Sequence, residues 1–368
     1  MSRLNDLYTV GGQSPWLDNL KREWLESGEI QSWIDRGVRG ITSNPSIFQK
    51  AIEGSAAYDA ELAQLLAAGA SVEEAYWSLV QTDISAALAL LRRVYDESEG
   101  LDGFVSVEVA PSLAHQTTET IDAAIALKDS IDEPNLYIKV PATSEGVQAV
   151  RRLIAQGCSV NVTLIFGLER YREVIEAYIA GLEEFARHHT GDLGRISSVA
   201  SLFISRVDTE VDHRLDAIGT PEALELRGTA ATTQAQLAYQ LAMTSFSGER
   251  WERLQQRGAR FQRPLWASTS TKNPAYPDTL YVDALIGPHT VNTMPDPTLS
   301  AFEDHGTVSQ TIDSDVEAAQ RRWDQLTELV DMGDVAQVLE MQGVDAFQKS
   351  YDDLVKVLAD KAQTLRPH

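Results

Sequence analysis

Eight short runs rich in β-branched and apolar residues recur along the chain, most of them separated by stretches long enough to hold a helix. They are PWLDN (15–19), RGITSNP (39–45), GFVSVEVAP (103–111), LYIKVPA (136–142), SVNVTLIF (159–166), SSVASLFISR (197–206), RPLWASTS (263–270) and LYVDALIG (280–287). Helical periodicity fills 72–98, 168–188, 222–246 and 312–330. Strands joined by crossovers of a dozen or more residues pair in parallel. A count of eight favours a closed (β/α)8 TIM barrel over a doubly wound open sheet. The long helical link between the sixth and seventh runs reads as an insertion, and the chain after residue 310 as a C-terminal helical extension packed on the barrel. No repeat, low-complexity segment or Gly/Ser linker divides the sequence, so residues 1–368 are expected to form one elaborated barrel domain.

Side chains on a strand alternate between two faces. In LYIKVPA, Leu136, Ile138 and Val140 share one face, while Tyr137 and Lys139 share the other. Val105, Val107 and Val109 oppose Phe104, Ser106 and Glu108. Val160, Val162 and Leu164 oppose Ser159, Asn161 and Thr163, and Ala200, Leu202 and Ile204 oppose Ser201, Phe203 and Ser205. Thr42 and Asn44 share a face in the second run. In a barrel the apolar face packs on the helices and the mixed face points inward, with polar residues gathering at the strand C-terminal ends. Lys139, Glu108, Asn161, Thr163, Ser201 and Asn44 then converge on one pocket. The competing arrangement, separate exposed faces in an antiparallel protein, conflicts with the long helical connections.

A lysine held in such a pocket needs a reason, because an ammonium loses its hydration there. Desolvation favours the neutral amine, which attacks ketones and aldehydes to give a Schiff base. The protonated imine is an electron sink, suited to making and breaking a carbon–carbon bond without metal or cofactor. Glu108 and Thr163 nearby would move the protons.

Charge narrows the classes of partner. The formal net charge of -23 opposes binding to nucleic acid or anionic membranes, so an anionic substrate would need a local cationic pocket. Cys158 is the single cysteine and reads as a core residue; no disulfide framework or Cys/His metal cluster can be drawn. His188 and His189 follow a helical run and are expected to be exposed. No apolar run is long enough for a membrane span, and the N-terminal segment lacks a signal-peptide core, so a cytoplasmic protein is expected.

The motifs TSNPSIF (42–48), SVEVAP (106–111), LYIKVPAT (136–143), NVTLIF (161–166) and SLFISRVD (201–208), in this order, resemble the transaldolase family over about residues 15–290. The resemblance implies a (β/α) barrel that moves a dihydroxyacetone unit between sugar phosphates in the non-oxidative pentose phosphate pathway. Sedoheptulose 7-phosphate and glyceraldehyde 3-phosphate would interconvert with erythrose 4-phosphate and fructose 6-phosphate. It implies Lys139 as the Schiff-base lysine, Glu108 and Thr163 as holders of a catalytic water, and Asp18 as the acid/base on the C4 hydroxyl. Asn44, Asn161 and Ser201 would bind dihydroxyacetone hydroxyls, Phe203 would line the pocket, and Arg206 would bind phosphate. No cofactor or metal is implied, and the partners are phosphorylated sugars, acted on by a monomer or homodimer. Departures from the family pattern are Leu202, where proline is usual, and Lys272, where a second arginine often stands. Asp18 could instead cap a helix, and Arg206 and Lys272 could be solvated surface charges. Two other functions remain open at this point: a related aldolase that releases dihydroxyacetone, and a catalytically silent sugar-phosphate-binding barrel.

Overall fold

The computed structural model describes residues 2–365. Eight strands form a closed, wholly parallel barrel in sequence order: β1 (Gln13–Leu17), β2 (Gly40–Thr42), β3 (Phe104–Glu108), β4 (Leu136–Pro141), β5 (Val160–Ile165), β6 (Ser198–Phe203), β7 (Arg263–Ala267) and β8 (Thr290–Met294). This is the expected (β/α)8 barrel. The outward faces carry Val105, Val107, Ile138, Val140 and Val162, all buried beneath the surrounding helices. The inward face of β1 carries Trp16, which lies across the barrel interior. It explains the glycine at position 40, where a Cβ would stand 2.4 Å from the indole. Phe104 and Tyr137 stack beside it at 4.0 Å, so aromatic rings fill the lower barrel.

Register sets the height of the polar residues. Glu108 lies opposite Lys139 across β3–β4, and Lys139 opposite Asn161 across β4–β5. Thr163 lies opposite Pro141, one level nearer the C-terminal mouth. The alternation expected along β5 breaks after Thr163. Leu164 has φ +60°, the register shifts between Val162 and Ile165, and the Leu164 side chain packs against Gly343.

Three expectations about elements need correction. Residues 280–287 do not form the eighth strand: Leu280–Asp283 is a short helix, and the strand is Thr290–Met294. The run LYVDALIG is apolar because Tyr281, Val282, Leu285 and Ile286 are core residues, and periodicity does not separate a short buried helix from a buried strand. The first strand runs 13–17 rather than 15–19, which puts Asp18 just beyond its end. The helix expected over 222–246 is two helices, Pro221–Glu225 and Ala230–Ser245. Gly228 breaks it at φ +70°, with its N–H donated to Asp212 Oδ1 at 2.8 Å and Tyr276 packed where a Cβ would sit.

Those two helices, with Ser205–Ile218 and Gly248–Gln255, make up the insertion between β6 and β7. The extension comprises Val316–Leu329 and a long helix, Met332–Leu365, which crosses the C-terminal mouth of the barrel against helix Pro45–Glu53 and β5. The opposite end is closed by charge. Asp102 is fully buried there and accepts hydrogen bonds from Ser14, Trp16, Arg39 and Arg263.

Candidate active site

The strand ends meet around a cavity of about 160 Å3 at the C-terminal mouth. Asp18, Asn44, Lys139, Thr163, Ser201, Phe203, Arg206 and Lys272 all line it. Glu108 and Asn161 do not line it but flank Lys139 in register on the neighbouring strands. Lys139 is 4% exposed, and its Nζ lies 3.2 Å from Glu108 Oε2 and donates to the Ser43 carbonyl at 3.2 Å. The Glu108 contact is off the line of a hydrogen bond, so Oε2 keeps an open acceptor position. Thr163 Oγ1 is also buried without a partner. Buried polar atoms are normally hydrogen-bonded, and two orphans bordering one amine mark a place built for a ligand's hydroxyl or a water.

The electrostatics favour proton traffic. Burial raises the Glu108 carboxyl above its ordinary range, and the nearby Lys139 charge offsets part of this. Asp18, half-buried on the cavity wall, is also raised by loss of hydration, offset by Lys139 and by a hydrogen bond from Thr42 Oγ1 at 2.7 Å. Carboxyl groups tuned upward in this way serve as acid and base near neutral pH. The helix after Asp18 begins at Arg22 and its N-cap is Lys21, so Asp18 is not a helix cap.

Polar anchors surround the amine. Asn44 caps helix Pro45–Glu53, its Oδ1 accepting from the Ile47 N–H at 3.0 Å, which leaves the amide nitrogen for the cavity. Ser201 Oγ donates to Asn161 Oδ1 at 2.7 Å, and Asn161 Nδ2 donates to Ser106 Oγ at 3.0 Å. Asn161 therefore acts on the cavity by fixing Ser201. Arg206 stands in the first turn of the helix after β6, half-buried, with its guanidinium 5.3 Å from the centre of the Phe203 ring. Burial lowers its pKa, and among the described residues no carboxylate comes within ion-pair distance of it. Lys272 is exposed at the rim, its Nζ 2.5 Å from Ser270 Oγ; burial of its surroundings and Arg206 lower its pKa. Both cations line the cavity, Arg206 half-buried and Lys272 solvent-exposed at its rim.

Sequence reasoning missed several residues at the site. Ser43 offers only its backbone, which no side-chain pattern reveals. Thr293 hydrogen-bonds Thr42 at 2.6 Å from β8, a strand whose polar sequence carries little strand signal. Ser46 follows the NP motif closely and lines the wall. Phe347 comes from the C-terminal helix, far along the chain, and reaches the same cavity.

The Transaldolase/Fructose-6-phosphate aldolase family model matches residues 15–358. The chain belongs to the transaldolase/fructose-6-phosphate aldolase family. It is 50% identical over 361 residues to a transaldolase of Parafrankia sp. (strain EAN1pec), covering 97% of each chain. It is 48% identical over 352 residues to transaldolases of Mycobacterium tuberculosis and Mycobacterium leprae, covering 95% of this chain and 94% of theirs. The family match spans every barrel strand except the first two residues of β1, and extends into the C-terminal helix. Membership in the family, with this degree of identity end to end, makes the chain an enzyme of the transaldolase type, a transferase. No described helix is long and apolar enough to cross a membrane.

Proposed function

We propose that this site transfers a dihydroxyacetone unit between sugar phosphates through a Schiff base on Lys139, interconverting sedoheptulose 7-phosphate and glyceraldehyde 3-phosphate with erythrose 4-phosphate and fructose 6-phosphate. The observation that carries the proposal is the buried amine. Lys139 Nζ lies 3.2 Å from Glu108 Oε2 and borders a cavity also lined by Arg206, which among the described residues has no carboxylate within ion-pair distance.

The Lys139 amine, relieved of a proton by Glu108, attacks the ketose carbonyl. The carbinolamine loses water, with Glu108 supplying the proton and Thr163 Oγ1 orienting that water. Asp18 then takes the C4 hydroxyl proton, and the C3–C4 bond breaks toward the iminium. The aldose phosphate departs and the three-carbon enamine stays on Lys139. The enamine carbon attacks the acceptor aldehyde, Asp18 returns the proton to the new alkoxide, and water releases the new ketose. Ser201, oriented by Asn161, and Asn44 hold the hydroxyls of the retained fragment. Arg206, with Lys272 at the rim, binds the phosphate, and a guanidinium suits that ligand better than a point charge does. The iminium serves as the electron sink, so these steps call for no cofactor.

The same proposal takes the chain as one catalytic domain, working in the cytoplasm as a monomer or homodimer. Helix Arg3–Thr9 packs on β1 and the last helix on the mouth, which supports a single unit. The experiment is a coupled assay with fructose 6-phosphate and erythrose 4-phosphate. Glyceraldehyde 3-phosphate and sedoheptulose 7-phosphate should form in equal amounts, and Lys139→Met should form neither. Activity retained in that variant would overturn the assignment.

A further inference from the structure

The C-terminal helix Met332–Leu365 is fastened along most of its length. Asp334 pairs with Arg214 at 2.7 Å, and Glu340 with Arg170 at 3.4 Å. Ser350 Oγ meets Ser46 Oγ at 2.6 Å, Tyr351 donates to Glu73 at 2.9 Å, and Lys361 pairs with Asp59 at 2.6 Å. Midway between these ties, Gly343 lets the helix approach β5, where any Cβ would stand 3.0 Å from Leu164. One turn later, Phe347 enters the barrel mouth. Its ring is 5% exposed, its centre lies 5.6 Å from Lys139 Nζ, and it lines the cavity that Lys139 and Thr163 share. It also borders a second, smaller space with Glu108, Pro141 and Leu164. The fasteners hold this ring in place, and the strained Leu164 backbone is where the helix and the strand meet.

We propose that Phe347 is a specificity-determining wall that decides whether the three-carbon enamine is transferred or released. The inference rests on the Schiff-base reading above and adds to it. Once the aldose phosphate has left, two fates compete. In transfer, the enamine carbon attacks an aldehyde. In release, a water proton reaches that carbon, giving the iminium of dihydroxyacetone; a water then adds to the iminium carbon, and the C–N bond breaks. The products are dihydroxyacetone and the free Lys139 amine. One water was lost in forming the imine and one is taken up here, so cleavage of the ketose balances with no other reactant. Both fates end with water hydrolysing an iminium on Lys139, so what sets release apart is a proton donor at the enamine carbon. The Phe347 ring, 5.6 Å from the amine, sets apolar surface where such a donor would approach, and ring and amine stand close enough for the ring face to favour the cationic iminium as well.

The test is the full-length chain with Phe347→Ala and Phe347→Leu. Fructose 6-phosphate is supplied with and without erythrose 4-phosphate, and free dihydroxyacetone and sedoheptulose 7-phosphate are both quantified. Phe347→Ala should raise the ratio of release to transfer on the order of tenfold or more. Phe347→Leu keeps most of the apolar volume and should lie between the parent and Phe347→Ala. Borohydride trapping on the parent and both variants separates the two claims. A parent that forms no adduct on Lys139 overturns the Schiff-base reading. Adducts in all three with an unchanged ratio overturn the role of Phe347 alone. Should Phe347→Ala fail to fold, Phe347→Leu decides: a raised ratio supports the proposal and a parental one overturns it.

Discussion

Replacing Asp102 with alanine should destabilise the protein by about 4 kcal/mol and leave the chemistry of the folded molecules unchanged. Asp102 sits at the N-terminal end of the barrel, remote from Lys139, where barrels keep stability rather than catalysis. Its side chain is 1% exposed. Oδ2 accepts from Ser14 Oγ at 2.7 Å and Arg39 Nε at 2.9 Å, and Oδ1 from Trp16 Nε1 and an Arg263 nitrogen, each at 3.1 Å. Removing one partner of a buried ion pair is worth about 3–5 kcal/mol. Arg39 and Arg263 retain 21% and 13% exposure, so water would relieve part of their lost pairing and pull the value toward the lower end. The Trp16 N–H, left without an acceptor in the interior, adds about 1 kcal/mol or more.

The pH dependence of that difference is fixed in sign. Burial alone would raise the Asp102 pKa, but Arg263 and Arg39, with hydrogen bonds from Arg39 and Ser14, hold it below the ordinary value. A depressed pKa contributes stability that is present above the unfolded value of about 3.9 and is lost as pH falls through the folded one. Urea unfolding followed by tryptophan emission should therefore show the full difference between parent and variant at pH 7, and a shrinking one below about pH 4. Turnover per folded molecule should match the parent. A loss under about 1 kcal/mol, or one that grows on acidification, would refute this reading of the charge cluster.

The other predictions concern the mouth. Glu108→Gln should lower kcat by roughly 10²–10⁴-fold. It should also remove from the pH–rate profile an acidic limb that the parent shows above the ordinary glutamate range, since rate is lost as pH falls through a raised pKa. Thr163→Val should slow turnover without lowering the melting temperature, because Thr163 Oγ1 has no partner in the fold to lose. Arg206→Ala should raise KM for the sugar phosphate by about 10–150-fold, the equivalent of a charge-assisted hydrogen bond, and Lys272→Ala by less, since Lys272 is exposed.

Much of the site was legible because it lies on strands with a two-residue period. Ser106, Glu108, Tyr137, Lys139, Asn161, Thr163 and Ser201 alternate with valine, isoleucine, leucine and alanine, and closure of the barrel turns that alternation into convergence. Strand β8 was missed for the opposite reason. Thr290, Asn292 and Thr293 are buried polar residues hydrogen-bonded to Gln13, Thr269 and Thr42, and such a strand carries little apolar signal. Leu164 followed the alternation on paper but leaves it in space, since a positive φ in one residue reverses the face. Phe347 was illegible. Its placement depends on a long helix folding back over the mouth, and nothing near position 347 records what lies beneath it.

The central claim is that Lys139 carries the substrate covalently. The protein should be incubated with fructose 6-phosphate, reduced with borohydride, digested and mapped by mass. The account predicts a reduced three-carbon adduct on the peptide containing Lys139, absent in Lys139→Ala, and prevented from accumulating when erythrose 4-phosphate is present. A folded protein that gives no adduct with either fructose 6-phosphate or sedoheptulose 7-phosphate would contradict it.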